Sequence, residues 1–526
     1  MSGRPYAVDS ELVIGLVAPV GIDLDSVKKD LENYFRQVRY TVNFLHLSKV
    51  AEAYECNHRE ENTPAEQIDD NDEKDRLDIA MTTGNALRDK VKRGDFYALL
   101  AIREIIKERD SDAPMPRTVH VLRSLKHKDE VATLRQAYGS GFFLLGVSAS
   151  TASKKNYLGE QLGVPAEEIE RLIARDENEL DPLGQHTRDV FQMADAFIAS
   201  DRDQFNDLSR TLDILFSKPT CSPTAAEYAM FMAYAAALRS ADLSRQVGAV
   251  LTNPQEDIIA TGANDVPKFG GGLYWPTDDD QRDHKLGYDT NEKKRDEIVL
   301  KVMESLISQV TDTESNGDES GLSVLDKLAS KLPKGLADGA DKTLEVGKNL
   351  LKDSGILDIT EYGRAVHAEM EALLSAARNG TSVRHATLYT TTYPCHNCAK
   401  HIVAAGIEKV IYIEPYPKSY AEDHHGDSID GDNDSATSGD KPTKVIFEAF
   451  VGIGPRRFID LFSMSLSSGT KLKRKKNGRV AYWSRESAEL RVPMIPLSYL
   501  EAEALLDQEL ERAINSLTSN DGENDE

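Results

Sequence analysis

The sequence predicts an α/β protein with two domains, each built on a sheet that is covered by helices. Short apolar runs alternate with helical stretches between residues 11 and 147, and this alternation favours a mostly parallel sheet. The length of 526 residues suggests more than one domain. The composition of the sequence changes at residues 215–223. This segment contains two prolines, and an alanine-rich stretch follows it. We therefore predict one domain over residues 1–218 and a second over residues 219–526.

The first domain begins with an apolar run at residues 11–18, which indicates a buried strand. The elements predicted after it are strands at residues 118–122 and 142–147, helices at residues 25–35, 95–108, 128–138, 163–179 and 185–198, and a polar loop at residues 55–75.

The turn after this first strand has the layout of a phosphate-binding loop, in which a glycine-containing turn leads from a strand into a helix. Gly15, Pro19, Val20 and Gly21 are the candidate nucleotide-binding residues. The full motif requires Gly-Lys-Ser/Thr, whereas isoleucine and aspartate follow Gly21. The turn is therefore either a degenerate nucleotide-binding loop or an ordinary strand-to-helix turn.

The second domain is predicted to begin with a helix at residues 224–240 and a pair of strands at residues 246–252 and 258–261. Asn264 lies at the end of the second of these strands. A glycine-rich segment with aromatic residues follows at 268–275, and it is either a lid over a base or a simple turn. Polar composition predicts two insertions, at residues 278–355 and 422–442.

Residues 365–406 contain the most specific chemistry in the chain. His367, Cys395 and Cys398 are one imidazole and a Cys-x-x-Cys pair, which together leave one position of a tetrahedral zinc ion open for water. Zinc lowers the pKa of such a water towards neutrality. Glu369 then serves as the proton carrier, and the His-x-Glu and Pro-Cys-x-x-Cys combination is typical of zinc-dependent base deaminases. The alternatives are a structural zinc site that takes a fourth ligand from His396 or His401, or two unlinked motifs that occur together by coincidence.

Local structure supports this interpretation. Residues two apart on a helix point in nearly opposite directions, so His367 and Glu369 share a site only where a helix begins. We predict a helix at residues 368–378, a strand at 386–391, a second helix from Pro394 to near Gly406, and a strand at 409–413. Both cysteines then lie in the first turn of the second helix, where free N–H groups favour thiolates.

Composition limits the classes of partner. The net charge of −25 argues against general attraction to nucleic acid or to anionic membranes. The basic run at residues 471–479 is a local exception, and it is either a solvated loop or a contact with a nucleic acid or a nucleotide. Cys56 and Cys221 are expected to be reduced thiols in a cytoplasmic protein. We expect neither a leader sequence nor a segment that spans a membrane.

Residues 224–450 resemble the deoxycytidylate deaminase branch of the cytidine deaminase fold. The matching motifs are the alanine-rich helix, Arg245-Gln246-Val247-Gly248-Ala249-Val250, Thr261-Gly262-Ala263-Asn264, His367-Ala368-Glu369 and Pro394-Cys395-His396-Asn397-Cys398. The resemblance implies one Zn²⁺ per deaminase domain and places Asn264 near the sugar or base of the substrate. Arg245 is a candidate phosphate ligand, because guanidinium suits bidentate oxygen contacts; a salt bridge at the helix-to-strand turn is the alternative.

The first half is similar to prokaryotic anti-phage dCTP deaminases. The residues that carry this similarity are 11–21, Ser124-Leu125-Lys126-His127, Asp129-Glu130-Val131, Gln185-His186-Thr187 and Asp195-Ala196-Phe197-Ile198. The resemblance implies a P-loop kinase-like, three-layer α/β domain joined to a cytidine deaminase-like α/β/α domain. It further implies deamination of dCTP and dCMP that depletes deoxycytidine nucleotides in antiviral defence, a homo-oligomer, and in some members an inhibitory small RNA. Because the phosphate-binding motif is incomplete, we expect a regulatory or nucleotide-sensing first domain.

Three other functions compete with this one. A housekeeping dCMP deaminase that supplies dUMP for thymidylate synthesis would have the same zinc motif. A polynucleotide-editing deaminase is disfavoured by the negative charge, and a zinc-stabilised binding protein without catalysis is disfavoured by Glu369.

Overall fold

The computed structural model describes residues 9–58, 73–109, 113–177, 179, 181–316, 340–352, 354–415, 419–431, 443–465 and 471–520. These residues form two compact units: the first comprises residues 1–234, 250–259 and 383–526, and the second comprises residues 235–249 and 260–382. Within the described residues, no helix is both long enough and apolar enough to cross a membrane.

The strands, in chain order, are β1 (Leu12–Val17), β2 (Thr41–His46), β3 (Thr118–Arg123), β4 (Phe142–Ser148), β5 (Ala196–Ala199), β6 (Gly248–Thr252), β7 (Ile258–Ala263), β8 (Thr387–Thr392), β9 (Lys409–Glu414), β10 (Ile429–Asp430), β11 (Val445–Ala449), β12 (Gly452–Ile453), β13 (Lys475–Lys476) and β14 (Arg479–Val480).

The α-helices, in chain order, are α1 (Leu24–Gln37), α2 (Leu47–His58), α3 (Glu73–Val91), α4 (Phe96–Lys107), α5 (Lys128–Tyr138), α6 (Thr151–Asn156), α7 (Ala166–Glu177), α8 (Thr187–Phe191), α9 (Gln204–Leu215), α10 (Ala225–Ala237), α11 (Asp283–Leu286), α12 (Thr290–Asn316), α13 (Ala340–Leu350), α14 (Ala368–Arg378), α15 (His396–Ala405), α16 (Ala421–His425), α17 (Phe458–Phe462) and α18 (Pro496–Asn520).

The first sheet has the strand order β12-β5-β4-β1-β3-β2. Strands β1 to β5 pair in parallel, and only β12 is antiparallel to its neighbour. All six residues of β1 are buried. Val13 and Val17 pack with α4 on one face, whereas Ile14 and Leu16 pack with α1 on the other, because successive side chains of a strand alternate between faces. The predicted parallel α/β sheet with helices on both faces is confirmed.

Residues beyond 450 complete this sheet. Gly452 and Ile453 pair with Phe197 and Ala196 at the edge of β5. Helix α18 packs against α4 and α5, and Leu510, which is fully buried, belongs to the same core cluster as α4. The C-terminal part of the chain therefore lies on the N-terminal sheet, and the predicted boundary at residue 218 stays a prediction.

The second sheet has the order β10-β11-β9-β8-β6-β7. Strands β8, β9, β11 and β10 pair in parallel. Helix α15 connects β8 to β9, so this part of the chain is a strand, helix, strand unit as the sequence predicts.

Several sequence predictions differ from the structure. The helix predicted at residues 185–198 is wrong, because only α8 is helical there and β5 follows it. A four-residue apolar run cannot be assigned to helix or strand by periodicity alone. The loop predicted at residues 55–75 overlaps the end of α2 and the start of α3, and residues 59–72 lie outside the described chain. Parts of both predicted insertions, residues 317–339 and 432–442, also lie outside it.

Candidate metal centre

His367 and Glu369 lie where an extended segment turns into α14. A bridge between Asp265 and Val366 holds this segment, with N–H···O distances of 3.0 Å and 3.3 Å. His367 is still extended (φ −66°, ψ 152°) and caps the helix, and Glu369 is buried in the first turn. The helix runs from Ala368 to Arg378, as predicted.

Gly262 of β7 allows the backbone of this helix to approach its strand closely. A Cβ atom added at Gly262 would lie 2.0 Å from the carbonyl oxygen of Ala368 and 2.5 Å from the amide nitrogen of Ala372. Both are backbone atoms, so no side chain could move aside. Only glycine is compatible with this placement of the first turn of α14.

Asp265 and Arg282 support the same segment, and sequence reasoning missed both. The Asp265 carboxylate is almost fully buried and lies 3.2 Å from Nη1 of Arg282. Arg282 also binds Asp280 at 2.8 Å, and its hydrogen bonds hold the pKa of Asp280 below the ordinary value. The carboxylate of Asp265 therefore connects the bridge before His367 to a buried guanidinium. Single charged residues have no periodicity, so no sequence pattern indicated this pair.

Cys395 and Cys398 lie at the start of α15. Cys395 is the extended residue that caps the helix (φ −69°, ψ 164°), and Cys398 is fully buried in the first turn. The helix ends at Ala405, and Gly406 follows in the left-handed conformation with φ 75°. Cys398 therefore lies in the first turn as predicted, whereas Cys395 precedes the helix, which begins at His396 and not at Pro394. A helix N-terminus favours thiolates.

The structure brings the three predicted ligands together. One ligand atom from each of His367, Cys395 and Cys398 lies within 4.8 Å of the others, and no further His, Cys, Asp or Glu joins them within the described chain. One imidazole and two thiols are a zinc donor set with one position left open. His396 and His401 are not members of this group, so it does not show the four protein ligands of a closed structural site.

The side-chain amide of Asn264 binds the backbone of the segment that contains Arg245. Oδ1 of Asn264 accepts from the N–H of Val247 at 2.7 Å, and Nδ2 donates to the carbonyl oxygen of Arg245 at 2.7 Å. The Arg245 side chain is exposed. Asn264 therefore fixes the segment that leads into β6, and the predicted substrate contacts of both residues stay predictions.

Backbone groups of the predicted phosphate-binding turn already form hydrogen bonds with other residues of the protein. The N–H of Val20 donates to Oδ2 of Asp176 at 2.9 Å, and Asp176 is fully buried. Lys126 binds Oδ1 of Asp176 at 2.6 Å and the carbonyl oxygen of Ala18 at 2.8 Å. A nucleotide at this turn would therefore compete with Asp176.

The remaining residues of that turn are packed closely. Gly21 has φ 89°, and a Cβ there would lie 2.9 Å from the carbonyl oxygen of Lys154. A Cβ at Gly15 would lie 2.6 Å from Leu125 Cδ1. Pro19 lines a cavity that is described below. These contacts explain the glycines by packing, and nucleotide binding by the four residues stays a prediction.

The basic run predicted at residues 471–479 contains a short hairpin of β13 and β14. Residues 473–480 are all exposed. A contact with nucleic acid stays a prediction.

Residues 223–414 match the family model described as "Cytidine and deoxycytidylate deaminase zinc-binding region". The match contains the three ligand candidates and Glu369. This part of the chain is therefore similar to the zinc-binding region of cytidine and deoxycytidylate deaminases, in agreement with the resemblance of residues 224–450.

Individual relatives support this class over short segments. Deoxycytidylate deaminase of Enterobacteria phage T2 is 52% identical over 54 residues, which are 10% of this chain and 29% of the phage protein. Deoxycytidylate deaminase of Pongo abelii is 29% identical over 128 residues, which are 24% of this chain and 57% of that protein. The chain thus spans less than a third of the length of the phage relative.

Among solved structures, the dCMP deaminase of cyanophage S-TIM5 in complex with dCMP and dUMP is similar with 16% identity and a TM-score of 0.22. The comparison covers 44% of this chain and 100% of that chain.

Proposed function

We propose that this protein is a zinc-dependent hydrolase that deaminates deoxycytidine nucleotides, dCTP and also dCMP, to deoxyuridine nucleotides. The observation that carries the proposal is the group of His367, Cys395 and Cys398 beside a helix whose first turn holds a buried glutamate. The deaminase family match over residues 223–414 supports it.

Three residues of the chain would hold the metal ion, and a fourth residue would transfer protons. When bound, a zinc ion on His367, Cys395 and Cys398 supplies an activated water for attack on cytosine C4. Glu369 would accept one proton from the attacking water and deliver it to ring N3. It would then accept the second proton, from the hydroxyl now on C4, and deliver it to the amino group, which leaves as ammonia while C4 becomes a carbonyl. Only 4% of Glu369 is exposed, and this burial keeps bulk water from exchanging the proton that the carboxylate carries.

Glu369→Gln tests this role. The variant should retain zinc and lose deamination by about 10²–10⁴-fold, the usual contribution of a general acid–base group. Glu371→Gln is the matched control, since Glu371 is buried on the same helix and pairs with Arg378 at 2.6 Å. It should retain most activity. Zinc content and ammonia release are the measurements, and near-normal turnover in Glu369→Gln would contradict the mechanism.

The nucleotide's phosphorylation state separates two physiological roles. We propose that dCTP is a substrate and that its depletion serves antiviral defence, as the resemblance of residues 11–21 and 185–198 implies. The second candidate is a housekeeping dCMP deaminase, which the deoxycytidylate deaminase relatives favour. Rates with dCTP, dCMP and deoxycytidine, with product identification, decide between the two roles. Turnover of dCMP alone would favour the housekeeping role.

Assembly and inhibition belong to the same proposal. Several copies of the chain are proposed to form a homo-oligomer, and a small RNA is proposed to inhibit it. Light scattering after size exclusion tests the first, and sequencing of RNA that co-purifies with the protein tests the second.

A nucleotide at the turn that includes Val20 and Gly21 is tested by equilibrium dialysis with labelled dCTP.

A further inference from the structure

A cavity of about 420 Å³ lies at the carboxyl edge of the first sheet. Pro19, Ser150 and Asp201, from the turns that follow β1, β4 and β5, contribute to its lining. The edge beyond the carboxyl ends of parallel strands is where α/β sheets bind ligands. The volume lies within the range of about 300–1,000 Å³ that is usual for small-molecule sites. None of the three metal-ligand candidates lines it, so it is a separate site.

Two buried polar atoms of residues in this lining make no hydrogen bond within the described part of the chain. Thr187 is 1% exposed, and its Oγ1 has no hydrogen bond within the described residues. The neighbouring Arg188 also lines the cavity. Its Nε makes no hydrogen bond among the described residues and lies 3.6 Å from a carboxylate oxygen of Asp189. Buried polar atoms of proteins are normally satisfied. Neither atom is open to the cavity as the side chains stand, so a bound molecule would satisfy Thr187 and Arg188 only after both side chains turn towards it.

Aromatic side chains form another part of the lining. Tyr393 and Tyr412 meet edge to face, with ring centroids 4.8 Å apart, and Phe447 lies 5.3 Å from Tyr393. The hydroxyl of Tyr393 donates to Glu422 at 2.7 Å, which fixes its ring. Fixed aromatic groups beside a few polar atoms suit a planar heterocycle that carries hydroxyl groups.

The charge of the lining excludes a strongly anionic ligand. Among the described residues, five carboxylates and three cationic side chains line the cavity, and their formal charges sum to −2. Lys154 pairs with Glu177 at 3.6 Å, and Arg202 pairs with Glu448 at 3.2 Å. The charges of Lys154 and Arg202 are therefore already balanced by carboxylates. A triphosphate in the cavity would be repelled by the net negative charge of the described lining.

We propose that this cavity binds an uncharged nucleoside, with its base beside the tyrosines and its polar groups on Thr187 and Arg188. This site does not depend on the deaminase chemistry. A nucleoside there would contact Tyr393, two residues before Cys395, so it would also be in a position to influence the metal centre.

The test is calorimetric titration of the full chain with thymidine and deoxyadenosine, which lack the cytosine amino group, and with their 5′-triphosphates. At least one nucleoside should bind, and more tightly than its triphosphate. Thr187→Val removes the unpartnered hydroxyl without changing shape, and it should weaken binding about tenfold, the effect of one neutral hydrogen bond. Thermal unfolding of this variant should be unchanged, because the hydroxyl has no partner to lose.

Ser217→Ala is the matched control, since Ser217 also has a buried hydroxyl without a partner and does not line the cavity. It should bind the nucleoside like the parent protein. Ala449→Leu fills part of the cavity and should abolish binding. The proposal is overturned if neither nucleoside binds at millimolar concentration, if both cavity variants bind normally, or if the triphosphate binds more tightly in a manner that depends on Thr187.

Discussion

At the scale of single residues, Gly262 controls how close α14 lies to β7. Gly262→Ala would place a methyl group 2.0 Å from the carbonyl oxygen of Ala368. The helix that carries Glu369 must then shift, and overpacking of this kind costs about 1–3 kcal/mol. We expect a lower melting temperature and a loss of bound zinc and activity.

Gly363→Ala is the control for this substitution, because a Cβ there would make only an ordinary contact of 3.5 Å with the carbonyl oxygen of Thr360. Elemental analysis of zinc and thermal unfolding are the measurements. Full zinc occupancy in Gly262→Ala would show that the close approach is not needed for the metal centre.

The residues of the candidate metal centre have the clearest signal in the sequence. His367, Glu369, Cys395 and Cys398 have types and spacings that few other functions share. The amide of Asn264 binds the backbone of Val247 and Arg245, and its predicted contact with the substrate stays a prediction. Asp265 and Arg282 could not be predicted, since their contact joins residues 17 apart in the sequence without a local pattern.

At the scale of elements, a buried ionic cluster connects the start of β1 to α18. Arg109, just beyond α4, lies 3.3 Å from Glu11 and 2.5 Å from Glu503 of α18. His120 of β3 binds Glu11 at 3.2 Å, and the hydroxyl of Tyr499 donates to the same carboxylate. These elements are far apart in the sequence, so the cluster holds the C-terminal helix against the first sheet.

Glu11→Gln tests this cluster through its pH dependence. Burial raises the pKa of Glu11, but the hydrogen bond from His120 and the charge of Arg109 lower it more, so the pKa lies below the ordinary value of 4.5. The ionised form therefore stabilises the folded protein fully above pH 4.5, and this contribution is lost as the pH falls through the folded-state pKa.

We expect Glu11→Gln to lower the free energy of unfolding by about 3–5 kcal/mol at pH 7, as when one partner of a buried pair is removed. The difference from the parent protein should shrink below pH 4.5. Urea unfolding at pH 7 and at pH 4 measures both values, and a constant difference would contradict the assignment.

Elements with strong local signals were predicted well. The helix at residues 128–138 and the helix at residues 368–378 have the predicted bounds. Strand β2 was missed, because its residues are mostly half-buried and lack a clear alternation. Strand β5 lies where the sequence predicts part of a helix, since its four apolar residues become a strand only by pairing with β4.

At the scale of the whole molecule, the net charge predicts whether cytosine is deaminated in free nucleotides or in polynucleotides. A chain with a net charge of −25 should be repelled by polynucleotides, whose binding depends on phosphate neutralisation. We expect deamination of free deoxycytidine nucleotides and none in single-stranded DNA or transfer RNA. Mass spectrometry of digested polymers after incubation is the measurement, and uracil in those digests would contradict the expectation.

The fragment of residues 1–218 tests the predicted domain boundary. This fragment lacks β12 and α18, so it exposes the edge of β5 and the apolar surface of α4. Unpaired edges and exposed apolar surfaces promote aggregation. We expect the fragment to aggregate or to lack cooperative unfolding, whereas the full chain unfolds cooperatively. Cooperative unfolding of the fragment in calorimetry would show that residues 1–218 fold alone.

The pairing of β12 with β5 also has a consequence for synthesis. Ala199 and Gly452 are about 250 residues apart, and ribosomes add about 5–20 residues per second, so about 13–50 s pass before the missing strand emerges. During that interval the edge of β5 has no partner strand for its backbone N–H and C=O groups. Chaperone binding to stalled ribosomal complexes should therefore persist until residue 453 has left the exit tunnel.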